Sequence, residues 1–461
     1  MKPTHFFSLL GIYSTAVLAT ACNGKKAEPE TPKTNIIFIL ADDMGYADLS
    51  CYGNKYIQTP NIDKLAETGT RFRQCYAGSA VSSPSRCALM TGKNSGNTTI
   101  RDNFCAAGGI EGLKNGNPIR RMHILPTDTT IATVLSNAGY QTCLVNKWHL
   151  DGFNPEATPI NRGFDEFYGW LISTTHSNDP YYYPYYRFDN DSLIHIDENA
   201  HDKHARHNTD ISTEDAIKFL HRNKENPFFL YLAYDAPHEP YIIDETSWYD
   251  DQDWEMNTKR YASLVTHMDR AIGRVLDEVD KLGLRENTLI IFASDNGAAV
   301  QAPLEELGCN GAFRGRKGLL YEGGLRVPFI VNQPGKVPAQ TLDNQIYFPD
   351  VLPTLAALAD AEAPQGLNGI NILPLFHGEK VDTDNRLLYW EFTGKQRAAR
   401  KGDWKVVAVK KDAPLELYNL KEDITESNNL AEAHPEIVAE FEAEMEAIRT
   451  PSANWPLPGE Q

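Results

Sequence analysis

The chain has 461 residues, 41% of them apolar and 23% charged. That composition supports a packed core and excludes a disordered or fibrous protein. Its 44 basic residues stand against 62 acidic ones, for a net charge of −18, which excludes general binding to nucleic acid or to anionic membrane surfaces.

The first 21 residues read as an export signal. Lys2 supplies positive charge, and residues 6–19 are mostly apolar but short for a bilayer span. Ala19-Thr20-Ala21-Cys22 resembles a bacterial lipobox. Cleavage before Cys22 would leave a cysteine for lipid attachment; an ordinary secretory signal cut near Ala21 is the alternative. Residues 22–33, with Glu28-Pro29-Glu30 and Thr31-Pro32, suit a flexible tether. The expected location is therefore exported and lipid-anchored, in the periplasm or on the outer membrane of a Gram-negative bacterium, with membrane contact only through the anchor.

Residues 35–40, Asn-Ile-Ile-Phe-Ile-Leu, form a continuous apolar run and predict a buried parallel strand. Thr59-Pro60 opens a short helix with Ile62, Leu65 and Ala66 on one face, ended by Gly69. A helix over 129–138 leads past Gly139 into a strand over 140–145. Another strand covers 228–233. The span 256–282 is a long amphipathic helix with Leu264, Met268, Ile272, Val275, Val279 and Leu282 on one side. It feeds a strand over 288–292. Strands alternating with helices imply an α/β fold, a large mostly parallel sheet sandwiched by helices. After about Pro364 the pattern changes to short strands at 387–392, 404–409 and 415–418 and a final helix from Pro435 to about residue 449. These predict a smaller C-terminal α+β subdomain over 379–461, behind a main domain over 34–378. Beyond Cys22 there are six cysteines, whose spacings match no zinc pattern. Export would allow some to pair, but Cys51, Cys87 and Cys143 sit among apolar residues and read as buried free thiols.

The most informative run is Ser82-Ser83-Pro84-Ser85-Arg86-Cys87-Ala88-Leu89-Met90-Thr91-Gly92. It also reads as a capped helix start with Pro84 in the first turn. Asp42-Asp43 follow the first strand and Asp295-Asn296 follow the strand near 290, where ligands gather in open α/β sheets. Each pair alone suits a turn or cap; four hard oxygen ligands together suit Ca²⁺ or Mg²⁺. Asn146-Lys147-Trp148-His149-Leu150 follows another strand. Ala236-Pro237-His238-Glu239-Pro240 follows a third, and residues 313–318 lead into Tyr321-Glu322-Gly323-Gly324.

In this order the five motifs resemble those of the type I, formylglycine-dependent sulfatases, in the alkaline-phosphatase-like superfamily, and imply a bacterial carbohydrate sulfatase. Asn146 and Asp151 replace glycines that flank the Lys-Trp-His-Leu segment in that family. The resemblance implies that Ser82 is oxidised to formylglycine, whose hydrate attacks sulfur. It implies one divalent cation, Ca²⁺ or else Mg²⁺, on Asp42, Asp43, Asp295, Asn296 and an oxygen of modified Ser82. It implies that Arg86 orients the diol and that Lys147 holds sulfate oxygens. His149 would hydrogen-bond the diol and act as the base that expels sulfate. Lys317 would contact sulfate and bridging oxygen, sharing general-acid duty with His238. The implied partners are a sulfated carbohydrate substrate and a maturation enzyme that accepts Ser.

Two other readings stay open. The same superfamily contains phosphatases and phosphodiesterases that use an unmodified Ser or Thr with metals, although no second set of Asp and His ligands is identifiable here. A lipid-anchored glycan-binding protein descended from a sulfatase is the non-enzyme reading, against which every expected group is present. Residues 93–121 and the aromatic run 181–186 are expected at the pocket rim, where rings can stack on sugar faces or simply pack at the surface.

Overall fold

Residues 35–40 and Ala41 after them form the first strand, β1 (Asn35–Ala41), every residue of which is buried. In a computed structural model of the protein, residues 1, 32–105, 107–114, 116–171, 182–393, 395–410, 412–457 and 460 are described. The expected signal, Cys22, most of the tether and Tyr181 lie outside the described residues. Residues 33–461 form one compact unit. No described helix is long and apolar enough to cross a membrane.

After β1 come β2 (Thr70–Tyr76), a hairpin of β3 (Ile110–Lys114) and β4 (Asn117–Arg121), and β5 (Gln141–Lys147). Next are β6 (Glu166–Trp170), β7 (Tyr186–Asp189), β8 (Ser192–His195), β9 (Phe228–Ala233) and β10 (Thr288–Ser294). Then follow β11 (Arg326–Asn332), β12 (Gln340–Leu342) and β13 (Ile346–Tyr347). The main sheet has 11 strands in the order β12-β2-β11-β10-β1-β9-β5-β6-β7-β8, with β13 also on β2.

Its centre, β10-β1-β9-β5-β6, is parallel. β11 runs antiparallel to both β10 and β2. Periodicity does not reveal β11, because Pro328 interrupts Arg-Val-Pro-Phe-Ile-Val-Asn. The structure tolerates that proline at a register shift between Val327 and Phe329, where a missing N–H breaks no ladder bond.

Side chains of β1 alternate between faces, as pleating requires. Ile36, Phe38 and Leu40 join one core with Ile131, Leu135, Leu352 and Leu355. Ile37 and Ile39 join the other with Phe219, Leu220, Leu264, Met268 and Ile272. The helices that cover these faces include α3 (Ile131–Asn137) on one side and, on the other, α4 (Asn208–Asn223) and α5 (Met256–Lys281). α1 (Pro60–Thr68) and α2 (Ser82–Thr91) precede them. Burying each of these large aliphatic side chains stabilises the fold by about 1.5–3 kcal/mol.

The C-terminal strands β14 (Leu388–Phe392), β15 (Gln396–Lys401), β16 (Trp404–Ala408) and β17 (Glu416–Asn419) form an antiparallel sheet in sequence order. β15, Gln-Arg-Ala-Ala-Arg-Lys, carries no apolar alternation; β14 and β16 on either side place it. Trp390, Val407 and Tyr418 pack against Tyr76, Ala80 and Val81, so this sheet supports the segment that leads into Ser82. The closing helix, Pro435–Ile448, covers the sheet's other face through Phe441 and Met445. All six described cysteines are free, five buried and Cys51 partly exposed.

Candidate active site

The parallel register fixes where the acidic pairs meet. Ala41 pairs with Ser294 at the end of the β1–β10 ladder, so Asp42-Asp43 and Asp295-Asn296 leave the sheet side by side. Asp43 N–H donates to Asp295 Oδ1 at 3.1 Å, and Asn296 Nδ2 donates to Asp43 Oδ1 at 2.8 Å. Neighbouring Asn146 and Ala233 are also paired, which brings residues 147–149 and 235–238 to the same end.

Ser82 is the first residue of α2, and Val81 at the cap position makes no side-chain cap. The Ser82 hydroxyl instead donates towards Asp42 Oδ1 at 3.1 Å and Asn296 Oδ1 at 3.4 Å. Ser83 Oγ donates to the His149 carbonyl at 2.7 Å. These side chains therefore face the site rather than the helix end. The motif's Gly92 stops α2 with a left-handed φ of 67°. The nearby Glu322-Gly323-Gly324 turn needs its glycines for close packing: a Cβ on Gly324 would lie 1.9 Å from the Leu319 carbonyl oxygen.

Three cations face three carboxylates. Arg86 donates through Nε and Nη2 to Asp295 Oδ2 at 3.0 and 2.9 Å, and through Nη1 to the Lys147 carbonyl at 3.1 Å. Lys147 Nζ pairs with Asp42 Oδ2. Lys317 Nζ lies 2.6 Å from Asp43 Oδ2 and 3.4 Å from His238 Nε2. Burial works against the charge of Asp42, but Lys147, His238 and Arg86 hold its carboxyl below the usual range. Lys317 and His238 likewise hold Asp43 down against burial. Burial disfavours the Lys317 charge too, yet Asp43 and Asp42 raise its pKa. His149 is buried, and neither ring nitrogen has a hydrogen-bond partner among the described residues. Burial first, then Lys147, Arg121, Arg86 and Lys317, push it well below an ordinary imidazole, so its ring is held neutral.

The predicted residues thus come together: Asp42, Asp43, Ser82, Arg86, Lys147, Asp295, Asn296, His238 and Lys317 are linked by direct contacts, and His149 joins through Ser83. Asp42, Asp43 and His238 offer ligand atoms within 4.8 Å of one another. Asp42, Asp43, Asn296 and Ser82 present hard oxygen donors, the set a Ca²⁺ or Mg²⁺ ion takes. Asp295 adjoins this set, its oxygens also accepting from Arg86 and the Asp43 N–H.

Other contributors had no motif to mark them. Tyr182 is buried and donates to the His238 carbonyl at 2.7 Å; in this aromatic run Tyr182 and Tyr183 are both core residues. Asn103 Oδ1 accepts the Ser83 N–H at 3.0 Å. Asn146, at φ 81°, occupies the left-handed region that asparagine tolerates in place of glycine, and Asn208 Nδ2 donates to its Oδ1 at 3.0 Å.

The sulfatase family model matches residues 34–361. A model described as N-sulphoglucosamine sulphohydrolase, C-terminal, matches 309–451. An N-acetylgalactosamine-6-O-sulfatase of Bacteroides thetaiotaomicron is 29% identical, over 96% of this chain and 99% of that protein. The N-acetylgalactosamine-6-sulfatase of Homo sapiens is 33% identical, over 78% of this chain and 68% of that protein. The solved structure of Ps i-CgsB in complex with k-i-k-neocarrahexaose is 30% identical, with a TM-score of 0.74 over 93% of this chain and 94% of that one. The family model and these relatives, on this fold, define a sulfuric ester hydrolase. The chain belongs to the sulfatase family.

Proposed function

We propose that this sulfatase hydrolyses an O-sulfate ester on a sugar of an extracellular glycan, with Ser82 converted to formylglycine and one divalent cation, Ca²⁺ ahead of Mg²⁺. The observation that carries this is the placement of Ser82: a buried hydroxyl at a helix start, against Asp42 and Asn296, with Arg86, Lys147 and Lys317 on the neighbouring carboxylates. A helix N-terminus and three cations suit a sulfate anion. The cation would rest on Asp42, Asp43, Asp295, Asn296 and an oxygen of modified Ser82, and would polarise the sulfate ester when bound. The hydrated aldehyde would supply a hydroxyl that an ordinary serine, weakly nucleophilic at neutral pH, does not.

The chain's own side chains take the remaining roles. Lys147 and Lys317 hold sulfate oxygens, and Arg86 fixes the floor through Asp295. Neutral His149 takes a proton when sulfate is expelled, and His238 with Lys317 protonates the leaving sugar oxygen. The relatives' activity on N-acetylgalactosamine 6-sulfate supports a hexosamine or galactose sulfate. The lipobox-like Ala19-Thr20-Ala21-Cys22 supports export and lipid anchoring. A serine precursor calls for a maturation enzyme that accepts Ser.

The test is sulfate release from sulfated monosaccharides together with mass spectrometry of the peptide containing Ser82. An active preparation in which that peptide keeps its full unmodified mass sinks the formylglycine reading. Turnover of a phosphate ester but of no sulfate ester, by such a preparation, establishes the phosphatase alternative.

A further inference from the structure

Beside the nucleophile stand two buried polar side chains that the sulfate chemistry does not use. Arg121, the last residue of β4, is 8% exposed, and its Nε and Nη1 have no hydrogen-bond partner among the described residues. Asp151 is 1% exposed, and its Oδ1 has none either. Each feels the other's charge, yet no hydrogen bond joins them. Leaving such groups unsatisfied in a folded interior is costly.

Their location is set from two sides of the site. The Arg121 guanidinium lies between two rings, 5.0 Å from Phe104 and 5.5 Å from Phe153. Phe104 directly follows Asn103, which holds the Ser83 N–H. Asp151 and Phe153 closely follow His149. The Ile124 N–H donates to the Leu150 carbonyl at 2.9 Å, and a Cβ on Gly152 would lie 2.2 Å from the Met122 carbonyl oxygen. The segment after His149 is thereby pressed against the segment after β4. Arg121 adds to the charges that lower His149. Lys114, at the end of β3, lies over the same Phe104 ring, 5.2 Å from its centroid.

The chemistry of the pair selects its ligand. Arg121 offers donors only; burial pushes the Asp151 carboxyl up to about 7, against which Arg121 favours the ionised form, and that form offers acceptors only. An anionic substituent would satisfy Arg121 but lie against the Asp151 carboxylate. A hydroxyl both accepts and donates, and so satisfies both. Asp151 also stands where the sulfatase segment resembled by residues 146–151 has glycine, so this chain adds a side chain at that point.

The geometry points to a sugar-hydroxyl subsite, in which Arg121 donates to, and Asp151 accepts from, a free hydroxyl of the ring that carries the scissile sulfate. It rests on the sulfatase reading above and deepens it. The pair sets which sugar is accepted, by rejecting rings that lack a hydroxyl at that position.

The experiment begins with a panel of 6-sulfated and 4-sulfated methyl glycosides of galactose, N-acetylgalactosamine and N-acetylglucosamine, assayed for sulfate release. The sugar that the wild type turns over fastest is then compared with its deoxy analogues, each lacking one ring hydroxyl. One analogue is expected to lose about 10- to 100-fold in kcat/KM, the value of one buried hydrogen-bonded hydroxyl. In Arg121→Met and in Asp151→Gly the same ratio should fall to within about threefold, as the partner of that hydroxyl is gone. Because the ratio is read within each variant, a reduced folded fraction cancels. Wild-type discrimination retained in both variants overturns the subsite, as does turnover with no discrimination among deoxy analogues, and either leaves the sulfatase reading standing. Sulfate release from no member of the panel sinks that reading and the subsite together.

Discussion

Lys405, on β16 of the C-terminal sheet, sets its Nζ 2.9 Å from Glu322 Oε1, on the turn that follows Lys317. Both are fully buried, and Glu426 Oε1 lies 2.8 Å from the same ammonium. Glu322 N–H donates to Glu426 Oε2 at 2.7 Å, and Gly323 N–H donates to the Arg314 carbonyl at 2.7 Å. The loop that presents Lys317 is thus tied to the C-terminal sheet through buried charge. Burial opposes ionisation of Glu322, but Lys405, Arg326 and Arg400 hold its carboxyl below the usual range.

Removing Lys405 leaves Glu322 and Glu426 buried without their cation. Lys405→Met should lower the unfolding free energy by about 3–5 kcal/mol, the cost of breaking a buried ion pair from one side. Denaturant unfolding measures this. The folded variant should also turn over more slowly, since the Lys317 loop loses its anchor. A loss below about 1 kcal/mol would show that the network is not what holds this loop.

Metal removal should stop turnover. Exhaustive chelation is expected to lower kcat by about 10³-fold or more, with recovery on adding Ca²⁺ or Mg²⁺. Asp295→Ala should do the same by a second route, because it also frees Arg86 and the Asp43 N–H. Circular dichroism should show the fold intact. Undiminished rates after chelation would remove the cation from the mechanism.

Asp48 sets a pH dependence of stability. It is buried, and its Oδ2 accepts the Gly45 N–H at 2.7 Å and the Tyr261 hydroxyl at 2.5 Å. Burial outweighs these bonds and pushes its pKa from 3.8 to about 7. Between those values the folded protein keeps a proton that the unfolded chain has lost. Stability from this group therefore declines as pH rises through that window and stays lower above it. Asp48→Asn should flatten the change in unfolding free energy between about pH 5 and about pH 8 by about 2–3 kcal/mol. Unfolding curves with the wild-type slope would refute this.

Short substrates should be preferred. A net charge of −18 repels long polyanions, whereas Arg86, Lys147 and Lys317 attract one sulfate locally. Initial rates per sulfate on a sulfated disaccharide should exceed those on its polymer by about tenfold at about 0.15 M salt. Faster attack on internal sulfates of the polymer would overturn the preference for short substrates.

The motifs at residues 82–92, 146–150 and 236–240 were legible because each is local: residue type and spacing carry the chemistry without reference to distant chain. The buried strands β1, β9 and β10 were legible because their apolar runs admit few other environments, and α5 because its apolar stripe recurs at the helical period. β2, β11 and β15 were not, since a polar or proline-interrupted strand is placed by its neighbours in the sheet. The meeting of Asp43 with Asp295 was implied by both following parallel strands, but it took the register of β1 on β10 to put them in contact. Tyr182 beneath His238, Asn103 on Ser83 and the Arg121–Asp151 pair join loops and a strand end far apart in sequence. A loop's own residues do not say what it packs against. Only the tertiary structure decided which buried donors and acceptors were left without partners among the described residues, because burial and partnering are properties of the packed surroundings.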